Sequence, residues 1–178
     1  MKKQLIIFCL AAATLLAGCG LSQSAPSGSA GASFQEGYQV GNLAPAVTIK
    51  DVTGKTVKIQ PSKDRKIYVL NFWATWCPPC RAELPELQKF AQEKDKDVTF
   101  YAINLQESPE KVQGFLQDMG VQVPVLLDQK GSTTRPYYLK YIPTTVIVDK
   151  QGIIRFRKSG GVTNQELKQI LDGLKESK

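Results

Sequence analysis

The sequence predicts an α/β domain with a mixed central β-sheet flanked by helices. Two observations carry this. Short runs rich in β-branched and aromatic residues alternate with longer stretches whose apolar residues recur every three or four positions, the pattern of strands interleaved with amphipathic helices. The pair Cys77 and Cys80, spaced C-x-x-C, falls where one such strand gives way to a helix.

Taken in order, Val47–Ile49 and Val57–Ile59 flank Thr53-Gly54 and read as an N-terminal β-hairpin. Ile67–Trp73 is apolar throughout except for Asn71, as expected of a strand buried on both faces. A helix is expected from Cys80 to about Glu93, with Leu84, Leu87 and Phe90 inward, and a strand over Val98–Asn104. Ser108 is placed to cap a helix that has Pro109 at its first position and Val112, Phe115, Leu116 and Met119 on one side. Val125–Leu127 reads as a strand, Thr133–Leu139 as a short helix, and Thr144–Val148 as a strand following Pro143. The turn Asp149–Gly152 leads to a strand over Ile153–Arg157. Thr163 and Glu166 form a capping box for a last helix that turns Leu167, Ile170, Leu171 and Leu174 inward.

The first residues have a different character. Lys2 and Lys3 precede an apolar run from Leu5 to Ala17 that ends in Leu16-Ala17-Gly18-Cys19. A charged start, a short apolar centre and small residues at a cut site are the layout of a secretory signal peptide, and the run is too short to span a bilayer comfortably. A cysteine directly after Leu-Ala-Gly is similar to a bacterial lipoprotein signal. That likeness implies lipidation of Cys19, a signal over residues 1–18, a lipidated tether over 19–37 and a folded domain over 38–178. A plain signal peptide or an uncleaved anchor helix is the competing reading. The tether is rich in Ser, Gly, Ala and Pro and lacks the apolar surface to fold.

Composition narrows the chemistry. The formal charge is +7, falling to +5 once Lys2 and Lys3 leave with the signal. Basic and acidic residues are interspersed, as in Lys94-Asp95-Lys96-Asp97, so the basic stripe of a nucleic-acid binder is missing. The chain has no His, which removes the usual general base and the commonest metal ligand. Of four cysteines, Cys9 leaves with the signal and Cys19 takes lipid, so Cys77 and Cys80 remain. As a structural cross-link they would close a loop too small to restrict the unfolded chain much. A zinc site would need carboxylates or a second subunit to complete four ligands. Redox exchange fits better, and a C-x-x-C opening a helix in such a unit points to a thioredoxin-like fold. No metal and no organic cofactor is expected, the redox group being the Cys77–Cys80 disulfide itself.

Only a thiolate attacks a disulfide. Cys77 precedes the helix and meets its free N–H groups and the positive end of its dipole, which makes it the expected nucleophile. Cys80, one turn further in, is the expected resolving thiol. Pro78 and Pro79 fix φ and stiffen the loop between them.

The stretch VLNFWATWCPPCRAELP over 69–85, followed by Ile142-Pro-Thr-Thr145 and Val148-Asp-Lys-Gln-Gly152, closely resembles the TlpA/ResA-like (DsbE-like) branch of the thioredoxin superfamily, over about Gly41 to Lys175. The resemblance implies a central helix-strand insertion, between Ser108 and Asp128. It implies a cis peptide before Pro143, set against the cysteine pair, where a trans bond in a loop is the alternative. Trp76, Pro78, Ile142 and Pro143 are the substrate-contacting residues it implies, with Ile142 offering backbone groups to an extended segment. Asn71 stands where cytoplasmic thioredoxins keep a buried aspartate. Glu83 becomes a candidate proton carrier for Cys80, against the simpler reading of an acid placed in a first helical turn by the dipole. Arg81 reads as a solvated charge.

The activity so implied is that of an extracytoplasmic, membrane-anchored thiol-disulfide oxidoreductase that reduces exported proteins, such as apocytochrome c or envelope or spore components. The implied electron donor is a membrane protein of the CcdA/DsbD type. A dithiol oxidant would use the same residues. A peroxiredoxin-like thiol peroxidase would usually keep a lone cysteine in a Thr/Ser-containing loop with an arginine, and a tethered binding module would not need the thiols.

Overall fold

A computed structural model describes residues 34–93 and 95–176. The expected signal peptide, Cys19 and most of the tether lie outside them. Gln35 and Gly37, at the end of the expected tether, already pair with the domain: Leu43 N donates to Gln35 O and Gly37 N to Leu43 O. Among the described residues no helix is long and apolar enough to cross a membrane.

In chain order the elements are β1 (Val47–Asp51), β2 (Thr56–Ile59), α1 (Pro61–Asp64), β3 (Ile67–Trp73), α2 (Pro78–Gln92), β4 (Val98–Leu105), α3 (Pro109–Asp118), β5 (Val125–Asp128), β6 (Thr144–Val148), β7 (Ile154–Ser159) and α4 (Asn164–Glu176). The strands form one seven-stranded sheet in the order β2-β1-β5-β4-β3-β6-β7. β3, β4 and β5 run parallel, while β1, β2, β6 and β7 join antiparallel. α3 and β5 are the expected helix-strand insertion, and β5 adds its strand on the far side of β4 from β3.

β3 is buried along its whole length. Its side chains alternate between two layers, as the pleat requires. Ile67, Val69 and Trp73 join Leu84 and Leu87 of α2, Val112 of α3 and Leu167 and Leu171 of α4. Tyr68, Leu70 and Phe72 join Ala44, Ile59, Val146 and Tyr137 on the opposite face. Part of that second face is covered by turns, which bring Tyr137 into the cluster. Thr133–Leu139, expected to be helical, cannot complete the ladder, because Pro136 has no N–H and Tyr138 adopts the left-handed conformation at φ 48°. Asp128 holds the segment instead, accepting from the backbone and side chain of both Ser132 and Thr133 at 2.6–2.8 Å.

Two further departures have local causes. α2 begins at Pro78 and not Cys80, since prolines suit the first turn of a helix, where no N–H is needed. The capping box of α4 is half made: Glu166 N donates to Thr163 Oγ1, but the Glu166 carboxylate pairs with Lys158 across the sheet edge.

The β6–β7 turn packs on the start of α1. Gly152 has φ +84°, and a Cβ there would lie 2.6 Å from Ser62 N and Cα. Gly152→Ala therefore combines left-handed strain with a backbone clash and is expected to lower stability by roughly 2–4 kcal/mol. Urea unfolding checks this; an unshifted midpoint would contradict the packing described.

Candidate active site

The strand-to-helix junction after β3 sets the geometry of the cysteine pair. Cys77 is the N-cap of α2, with extended φ and ψ, and its Sγ accepts from Cys80 N at 3.3 Å. Pro78 and Pro79 supply no N–H, and Cys77 N is already bonded to Ala74 O. The Cys80 amide is thus the first free donor of the helix, and it points at the Cys77 sulfur. A thiolate at Cys77 would receive that hydrogen bond together with the positive end of the dipole. Here the two sulfurs are joined in a disulfide, with Cα atoms 5.3 Å apart. Cys77 is 3 % exposed and Cys80 0 %, so any partner must reach Cys77 first.

The loop before β6 closes over Cys77. The Ile142–Pro143 peptide is cis, and Ile142 O lies 3.6 Å from Cys77 Sγ. Pro143 is buried and Ile142 half-buried, whereas Pro78 and Trp76 are exposed, Trp76 to 65 %. All four expected substrate-contacting residues therefore belong to the junction of β3 with α2 or to the loop entering β6.

Glu83 is buried beneath the pair. Its Oε1 accepts from Asn71 Nδ2 at 2.8 Å, and its Oε2 from Val162 N at 2.9 Å. Asn71 Nδ2 also donates to Thr145 Oγ1, directly opposite on β6, at 3.0 Å. Loss of hydration pushes the Glu83 carboxyl up to about 7, against the pull of these hydrogen bonds and of Lys158.

A second buried carboxylate, absent from the expected site, stands on the other side of the junction. Glu107 accepts from Thr75 N (2.7 Å), Thr75 Oγ1 (2.6 Å) and Asn104 Nδ2 (2.8 Å), and pairs with Lys111 at 2.7 Å. Burial raises its pKa, but the Lys111, Thr75 and Asn104 bonds outweigh that and hold it below the usual carboxylate value. Glu107 is 32 residues from Thr75 in sequence, and only the parallel pairing of β3 with β4 brings them together. No local pattern signals it.

The Redoxin family profile matches residues 39–173, which include both cysteines, Glu83 and Pro143. The chain belongs to the Redoxin family. Within it, the thioredoxin-like protein YneN of Bacillus subtilis is 35 % identical over 139 residues, which cover 76 % of this chain and 81 % of YneN. Sporulation thiol-disulfide oxidoreductase A of the same organism is 34 % identical, over 70 % of this chain and 78 % of its own. The crystal structure of StoA from Bacillus subtilis superposes with a TM-score of 0.64 at 28 % identity, covering 71 % of this chain and 96 % of StoA. This Redoxin chain is a thiol-disulfide oxidoreductase with a thioredoxin-like fold.

The raised Glu83 value has a thermodynamic consequence. Between about 4.5, the ordinary value, and about 7, the folded protein keeps a proton that the unfolded chain has released. Stability therefore falls as pH rises through that window, by up to about 1.4 kcal/mol per pH unit, and is flat with respect to this group above it. Glu83→Gln is expected to remove that slope. Urea unfolding of both proteins at pH 5 and 7 measures it, and an equal pH response in the two would exclude the buried proton.

Proposed function

We propose that the protein is an extracytoplasmic disulfide reductase tethered to the membrane by lipid on Cys19. The observation that carries the redox reading is the placement of Cys77: it caps α2, receives the first free amide of the helix and faces the carbonyl of Ile142. In the reduced protein the Cys77 thiolate attacks a substrate disulfide, forming a Cys77–substrate S–S bond and releasing one substrate thiolate. The Cys80 thiolate then attacks Cys77 Sγ, forming the Cys77–Cys80 disulfide and expelling the second substrate thiolate. Two electrons pass to the substrate, and no metal or organic cofactor takes part.

Cys80 must lose its proton in a water-poor site, and Glu83, one helical turn further along α2 with a proton affinity near neutrality, is suited to receive it. Trp76, Pro78, Ile142 and Pro143 frame the entry to Cys77, where an extended substrate segment pairs with the Ile142 backbone. Exported proteins, such as apocytochrome c or envelope or spore components, are the proposed substrates; the sporulation role in the name of one relative favours the last of these. A membrane donor of the CcdA/DsbD type would return electrons to the pair.

Two experiments test this reading. A Cys80→Ser variant cannot resolve the mixed disulfide, so it should accumulate adducts through Cys77 that mass spectrometry identifies. Recovery of no Cys77-linked exported protein would overturn the reading. Growth on a clickable fatty acid should label the chain, with labelling abolished by Cys19→Ser; label that survives the substitution would place the anchor elsewhere.

A further inference from the structure

The segment that leads into Ile142 carries, with its neighbours in the fold, aromatic and cationic groups for which disulfide exchange has no use. Tyr141, adjoining Ile142, is 72 % exposed. Beyond it the irregular segment presents Tyr138, whose ring stacks on Tyr38 with centroids 4.6 Å apart. Each ring of this stack holds a cation: Lys140 Nζ lies 4.6 Å from the Tyr138 centroid, and Arg157 Cζ 5.7 Å from that of Tyr38. A ring face attracts a cation through its quadrupole, so both charges are positioned without an acid. Neither Lys140 nor Arg157 forms an ion pair among the described residues.

Arg157 is also incompletely satisfied. Its Nη2 donates to Tyr138 O at 3.1 Å, while Nη1 is buried with no partner. The Ile142 N–H likewise makes no hydrogen bond among the described residues, leaving the backbone beside Cys77 free to pair with an extended segment. Lys140 is two residues from Ile142, at most about 7 Å along the chain. A side chain two or three residues from a cysteine docked at Cys77 is within reach of it.

We infer that Lys140 and Arg157, presented on the Tyr38–Tyr138 stack, select disulfide substrates that carry a carboxylate side chain two or three residues from the attacked cysteine. The complementarity is electrostatic: an acidic neighbour meets two cations, and a basic neighbour meets like charge. This specificity rests on the proposal that the pair reduces protein disulfides.

The test uses the full chain, reduced, with two cyclic disulfide peptides identical except for Asp or Lys two residues from the attacked cysteine. Peptide thiol is followed by chromatography, and uncharged hydroxyethyl disulfide serves as a control. The Asp peptide is expected to have a kcat/KM about tenfold above the Lys peptide at low salt, the difference shrinking several-fold at 0.5 M salt. Lys140→Gln and Arg157→Gln should each reduce the ratio to about threefold. Lys140 is exposed, so its variant keeps the test valid should the half-buried Arg157 variant fail to fold. Equal rates for the two peptides, or a ratio unmoved by Lys140→Gln, overturn the inference. So does an unmoved ratio combined with lost binding to phosphatidylglycerol vesicles, which would assign the patch to a membrane surface. Failure to reduce hydroxyethyl disulfide would instead defeat the reductase reading itself.

Discussion

Asn71 sits at the middle of β3, a strand buried along its whole length, and donates from one nitrogen to Glu83 on α2 and to Thr145 on β6. Glu83 in turn accepts from Val162, on the approach to α4. One buried amide–carboxylate contact thereby joins the central strand, the helix that carries the cysteines, the strand that follows cis-Pro143 and the segment that leads to the last helix. The same lead-in segment reaches the loop that enters β6, since Gly160 N donates to Pro143 O. The position of Cys77 against Ile142 depends on this arrangement, because α2 can rotate or slide only by breaking it. A buried carboxyl that lost either donor would keep an unpaired oxygen in the core, so the contact is hard to exchange for another.

Much of this was legible in the sequence wherever a signal is local. β3, α3 and the hairpin follow from periodicity, caps and turn residues lying within a few positions of one another. Cys77 and Cys80 follow from spacing alone. Pattern reading fails where the cause is distant or competing. Thr133–Leu139 has helix-like apolar spacing, yet Pro136 and the grip of Asp128 on Ser132 and Thr133 divert it into turns. Glu166 has the spacing of a capping box, but Lys158 on β7 competes for its carboxylate and wins with a full charge. Asn71 reads as a lost aspartate until the fold shows its amide bonded to the buried acid Glu83. The Tyr38–Tyr138 stack joins residues a hundred positions apart, and no composition rule brings them together.

The two carboxylates beside the junction show how one side-chain type is held in opposite protonation states. Glu83 receives two hydrogen bonds, both from neutral donors, and Lys158 acts on it only at a distance, being committed to Glu166. Desolvation therefore wins and the acid retains its proton toward neutral pH. Glu107 receives three neutral hydrogen bonds and a direct ammonium contact from Lys111, so its charge is compensated and it remains an anion. An anion fixed in that way holds the Thr75 backbone and hydroxyl in place two residues before Cys77, which is a positioning task. A carboxyl that binds and releases its proton near neutral pH is the one suited to exchange it with a thiol. The number and charge of the donors around each group, together with the extent of its burial, set the two apart: Glu107 holds the loop as an anion, and Glu83 keeps a proton toward neutral pH.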